Sequence, residues 1–217
     1  MDFQWDIFIE SFPALLKGAW LTLELTVVSV AIGLTLGLFG GIARVSTHRV
    51  ISFLAVCFTT MMRGIPLLVT IMFLYYGLPA AGIQLSAFAV AVIALSVTNG
   101  AYVSEIVRAG IQSIDKGQMR AARSLGMSYG LAMRRIILPQ VIRRVLPPIT
   151  NESITLLKNT ALVSTIALSE LLRSGLEIMT WKANTFSPFA GVALIYLLMT
   201  LPLIWFVSRL EKRFAIP

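Results

Sequence analysis

The chain is poor in the residues from which soluble catalysts are built. It has one cysteine and one histidine, and ten acidic residues among 217. Lone Cys57 can close no intrachain disulfide and, lying within an apolar run, reads as a small packing residue. His48 has no acidic or cysteine residue close by in sequence and reads as a solvated turn residue rather than a catalyst or ligand. Metal-ligand clusters, nucleophile elbows and glycine-rich phosphate loops are missing as well. Without a G-x-x-x-x-G-K-[ST] string, the chain has no P-loop with which to bind ATP itself. Asp2, Asp6 and Glu10 stand where a signal peptide would carry a basic start, so residues 1–18 are expected to be an amphipathic lead-in on the membrane surface.

Charge is scarce too. Only 13% of residues are charged against 57% hydrophobic, with a mean hydropathy of +0.84, which leaves too little polar surface to cover a soluble globule. An all-α integral membrane protein of a single domain, residues 1–217, is the expected architecture. A helix needs about 20 apolar residues to cross the hydrocarbon core, and Leu25 to Ala43 and Ala183 to Ser208 hold no charged residue at all. Gly64 to Ser104 is also uncharged but too long for one crossing, and Gly77, Pro79 and Gly82 mark a turn within it. The pattern predicts about five transmembrane helices, near 19–43, 50–77, 86–107, 139–166 and 187–209.

Positive charge fixes an expected orientation. Thirteen of the eighteen Lys and Arg residues fall on one side of such a topology, and only Lys17, Arg173 and Lys182 on the other. By the positive-inside rule the N-terminus lies outside and the C-terminus in the cytoplasm. The net charge of +8 therefore calls for no nucleic-acid partner; topology and attraction to anionic membrane lipid account for it.

The longest polar stretch, residues 105–144, carries eight of those cations between two apolar segments. Within it, residues 108–138 form the expected cytoplasmic loop. Ser113 is expected to cap a short helix through Leu125, aided by Asp115. Gly126 then suits a left-handed corner, and Ser128 can cap the helix that leads to Pro139. Small Ala121 and Ala122 would leave a low face between Arg120 and Arg123 for seating in another protein. An amphipathic helix pair on anionic headgroups would explain the same charges.

Arg120-Ala121-Ala122, three residues, Gly126, nine residues and Ile136-Ile137-Leu138-Pro139 resemble the EAA loop of ABC importer permeases, E-A-A, three residues, G, nine residues, I-x-L-P, apart from Arg120 in place of Glu. Arg63-Gly64-Ile65-Pro66-Leu67-Leu68, Tyr75-Tyr76-Gly77-Leu78-Pro79 and the run Arg108 to Ile114 are similar to the polar amino acid permeases in particular, as are Asn151-Glu152 and Leu157 to Thr160. The resemblance covers residues 10–213 and implies a type I ABC importer permease fold in a bacterial inner membrane. It implies a permease, not an enzyme, with residues 1–18 on the periplasmic side. Arg120, Ala121, Ala122, Arg123 and Gly126 would couple it to a separate ATPase dimer. ATP and magnesium would sit on those subunits, with no cofactor on this chain. A second permease subunit, the same or similar, and an extracytoplasmic solute-binding protein complete the implied assembly. Leu168 to Trp181 is either a contact for that binding protein or an ordinary amphipathic outer loop. Asn159 replaces an Asp common in relatives, so any ion pair formed there is missing.

Charges inside the membrane are costly unless paired, hydrated or set in a cavity. Arg63, Glu152 and Lys158 fall in expected spans. With Asn99, Arg63 and Glu152 supply a donor fork for an amino acid carboxylate and acceptors for an ammonium group or cationic side chain. Either this trio binds substrate, or Arg63 and Glu152 pair with each other to hold helices together. Lys158 would contact a partner helix or reach outward. Glu152 tilts the expected substrate toward basic amino acids. The rival reading is a small ion-coupled carrier or channel with no ATPase partner; an inverted repeat would favour it, and none is visible.

Overall fold

The computed structural model describes residues 3–214, and every regular element among them is helical. In chain order these are α1 (Trp5–Arg44), α2 (Arg49–Gly64), α3 (Leu67–Met72), α4 (Ala87–Gln112), α5 (Lys116–Ser124), α6 (Tyr129–Ala132), α7 (Leu138–Asn159), α8 (Leu171–Lys182) and α9 (Phe186–Phe214). Among the described residues α1, α4 and α9 are each long and apolar enough to cross a membrane. So is the pair α2 and α3 if it forms one bent span. α7, expected as a span, is interrupted by Arg143, Arg144, Glu152 and Lys158 and does not stand out by composition.

α1 organises the molecule. Its buried residues include Ser11, Leu15, Gly18, Thr22, Thr26, Ser29, Gly33, Gly37 and Gly41, a stripe with steps of three and four. From Ser29 onward the stripe is small residues only, and it packs along α4, where Ser96, Gly100 and Ser104 repeat at the same spacing and are buried too. No other pair of elements shares so large an interface. Small residues let two membrane helices approach backbone to backbone and gain dispersion energy that bulkier side chains would prevent. A Cβ placed on Gly37 would lie 2.4 Å from Val103 and 3.0 Å from the Gly100 carbonyl oxygen.

The helix boundaries differ from the sequence expectation in three places, each for a local reason. α1 begins at Trp5 rather than near residue 19, so the described part of the expected lead-in is continuous with the span. Its start is tied down by the Gln4 N–H donating to Ser187 Oγ at 2.8 Å and by edge-on packing of Phe3 on Trp5 and on Phe186. Residues 1 and 2 of that lead-in lie outside the described residues. The expected helix 50–77 is broken between α2 and α3, which bend through 98°. Pro66 disfavours helical geometry at the residue before it, and Ile65 is accordingly extended, at ψ 127°. The run 139–166 leaves α-helical geometry after Asn159 and tightens into a 3₁₀ segment, Thr160–Ile166.

Among the described residues three apolar clusters fill the interior. The largest joins Leu25, Ile71, Leu95, Leu156 and Val163 from α1, α3, α4, α7 and the 3₁₀ segment. A second packs Leu15 and Ala19 of α1 against Leu171 of α8 and Val192 and Ile195 of α9. The third gathers Ile114, Ile137, Val141 and Val145 under the polar loop. Replacing Gly37 with Ala is expected to destabilise the purified protein by about 1–3 kcal/mol through overpacking. Val103→Ala in the same chain should recover much of the loss. Thermal unfolding in detergent of the two single variants and the double variant checks this, and additive losses would refute the close approach.

Candidate substrate pair and coupling loop

The polar loop folds as a helix, a corner and a second helix. Asp115, not Ser113, caps α5: its carboxylate accepts from the Gly117 N–H. The Ser113 hydroxyl instead donates back to the Gly110 carbonyl at 2.7 Å, closing α4. At the other end Gly126 adopts φ +81°. Its N–H donates to Arg123 O and that of Met127 to Ala122 O, the paired bonds of a Schellman cap. Ser128 Oγ then accepts from the Leu131 N–H at 3.3 Å and starts α6. A wider π turn, Met133–Ile137, joins α6 to α7. It absorbs Pro139, which cannot donate into a regular helix.

The two alanines do not share a face. Ala122 is buried against its own chain, whereas Ala121, Arg120 and Arg123 are exposed. The outward surface of the corner is completed by Leu125, 83% exposed, and Tyr129.

Of the three expected substrate residues, the structure brings two together. Asn99 on α4 and Glu152 on α7 meet, near enough for the amide to act on the carboxyl. Asn99 is 4% exposed, packed against Gly33 of α1. Neither of its amide atoms completes a well-aligned hydrogen bond within the chain. A buried amide with spare donor and acceptor capacity is costly to leave unmet, so this pair is chemically suited to a polar ligand. Lys158 is exposed on α7 and has no ion pair among the described residues.

Arg63 goes elsewhere. Its partner is Glu105 at 3.1 Å, not Glu152, so the alternative of an Arg63–Glu152 salt bridge is not realised. Glu105 also holds Arg44 at 2.5 Å and Arg108, whose Nε donates at 3.1 Å. One carboxylate thus ties the ends of α1 and α2 to α4. Arg63 and Glu105 are 42 positions apart; the sequence shows that Arg63 needs company but not which residue provides it.

Glu170 lies in the segment Leu168 to Trp181, expected either to contact a binding protein or to be an ordinary amphipathic outer loop. It is 0% exposed. Its carboxylate caps α8, accepting from the N–H groups of Leu172 at 3.0 Å and Arg173 at 2.8 Å, and it takes the Tyr196 hydroxyl at 3.1 Å. With these bonds Glu170 is committed to joining α8 and α9, while Arg173 and Glu177 form an i, i+4 pair at the surface.

Residues 33–216 match the family model described as "Binding-protein-dependent transport system inner membrane component". The chain belongs to that family. It is 39% identical over 98% of both chains to the arginine transport system permease protein ArtQ of Bacillus subtilis (strain 168). It is 37% identical over the full length of both to the glutamine transport system permease protein GlnP of Escherichia coli (strain K12). Among solved structures, one described as an amino acid ABC transporter with histidines superposes with a TM-score of 0.92 at 39% identity, covering 98% of this chain and all of that one. An inward-facing methionine ABC transporter, MetNI, shares the fold at 18% identity and a TM-score of 0.76. The chain is thus an integral membrane permease subunit of an amino acid ABC transporter, with the type I permease fold, and not an enzyme.

In this permease a Cβ on Gly126 would meet nothing within 4 Å, so the position tests backbone conformation alone. Gly126→Ala is expected to cost about 1–2 kcal/mol at the corner, and Gly126→Asn less, because asparagine tolerates a left-handed backbone better. Protease sensitivity of the loop in membranes checks the order Gly, Asn, Ala.

Proposed function

We propose that this permease serves an ATP-driven importer of polar, and particularly basic, amino acids, and that Asn99 and Glu152 hold the ammonium group or cationic side chain of the substrate. The observation that carries this reading is the buried Asn99, with unmet amide atoms, beside Glu152 of the facing helix. Among the described residues this carboxylate, set within the helices, has no cation paired with it, so a cationic ligand supplies what the pair lacks. That one relative is named for arginine supports the basic preference, and that another is named for glutamine bounds it to polar amino acids. Family membership does not favour the ion-coupled carrier or channel reading.

Coupling belongs to α5, the Gly126 corner and α6. In this proposal they dock on a dimer of ATP-binding subunits, which hold the ATP and magnesium, and Leu125 and Tyr129 supply the apolar contact while Arg120 and Arg123 flank it. Arg120 reverses the charge of the family's glutamate, an asymmetry more easily borne if a second, similar permease keeps the acid. An extracytoplasmic binding protein delivers the substrate, with α8 as a contact through Arg173 and Glu177. The assembly sits in a bacterial inner membrane, five spans placing the N-terminus outside and the coupling loop in the cytoplasm.

Glu152→Gln removes the charge at nearly constant shape. It is expected to abolish uptake of L-arginine by the whole importer in proteoliposomes while leaving copurification of its subunits intact. Unchanged uptake would refute the role of Glu152.

A further inference from the structure

Polar residues recur along α4 at every third position: Asn99, Tyr102, Glu105 and Arg108. Each step turns 300° about the helix axis, so the row winds gradually rather than staying on one face, and Glu105 lies about 9 Å of helical rise beyond Asn99. At Glu105 the charges do not balance. Three guanidiniums, from Arg44, Arg63 and Arg108, converge on one carboxylate, and among the described residues no other carboxylate reaches them. A cluster with two excess positive charges attracts an anion.

Arg63 is the most accessible of the three. Only its Nη1 is engaged with Glu105, its guanidinium stands 5.6 Å from the centroid of the Tyr102 ring, and its side chain is 39% exposed. Arg44, at 11%, is enclosed, and Arg108 spends its Nε and both Nη atoms on Glu105 and Gln112. Arg63 therefore presents an edge of N–H donors in the planar fork that suits a carboxylate.

Resting on the amino acid reading above, we propose that this cluster is a second station on the route, where the substrate's α-carboxylate takes the open edge of Arg63 in competition with Glu105 after leaving Asn99 and Glu152. The station recognises the carboxylate common to all amino acids, whereas Glu152 discriminates by positive charge. Glu105 keeps the guanidinium paired when no substrate is present, and its like charge helps the carboxylate leave again.

The test measures uptake of L-arginine and L-glutamine by the complete importer in proteoliposomes, with subunit copurification as the assembly control. Arg63→Gln is expected to lower the maximal uptake of whichever probe is carried by on the order of tenfold, the loss of one charge-assisted contact. Arg63→Lys retains the charge and an ion pair with Glu105 but not the fork, and is expected to lose at least about threefold at intact assembly. Should Arg63→Gln fail to assemble, the lysine variant carries the test. Wild-type rates in Arg63→Lys would overturn the station, since a structural ion pair is served equally well by lysine. If Glu152→Gln loses uptake while both Arg63 variants keep it, the station alone falls. If the wild-type importer carries neither probe, the proposed preference for basic and polar amino acids falls, and the station that rests on it falls with it.

Discussion

The close approach of α1 to α4 is the constraint on which the rest of the structure depends. Within lipid, no hydrophobic driving force pulls helices together, so contact must come from packing at short range. Ser29, Gly33, Gly37 and Gly41 on one helix and Ser96, Gly100 and Ser104 on the other permit that contact. The buried face of α4 is thereby fixed, and with it Asn99, whose side chain lies against the missing side chain of Gly33. The same interface brings the end of α1 beside α4, so Arg44 reaches Glu105. Packing thus decides where the intramembrane polar groups sit.

Around this pair the remaining elements are joined by polar links. α8 is held to α1 by the Leu171 N–H donating to Thr22 Oγ1 at 3.2 Å and to α9 through Glu170 and Tyr196. α7 meets α9 where the Asn151 amide donates to Glu211 at 3.3 Å. In a low-dielectric medium such bonds are strong when complete and expensive when broken. That explains why the carboxyl of Glu170, fully enclosed, is surrounded by donors.

Much of this was legible in the sequence where the signal is local. The left-handed Gly126 and the Ser128 cap follow from residue chemistry, and the break after Gly64 is implied by Pro66 but masked by the long apolar run that contains it. Ser113 and Asp115 both suit a cap, and the choice turns on where α4 ends, which tertiary packing sets. The α1 stripe was present as Ser29, Gly33, Gly37 and Gly41 at four-residue spacing, but an average over hydropathy is blind to it. For the intramembrane charges, sequence shows which need partners. The chemistry of Asn99 and Glu152 is readable from their residue types, while the Arg63–Glu105 pair and the enclosed Glu170 depend on contacts between distant segments.

The central claim is that this chain is the membrane half of an ATP-driven machine. The most direct measurement is to tag it, express it in its native host, extract the membranes in mild detergent and examine what copurifies. The account predicts a stoichiometric ATP-hydrolysing subunit bound through the loop around Gly126, lost when Leu125 and Tyr129 are replaced by charged residues. A chain that emerges alone, stable and without ATPase activity would contradict it.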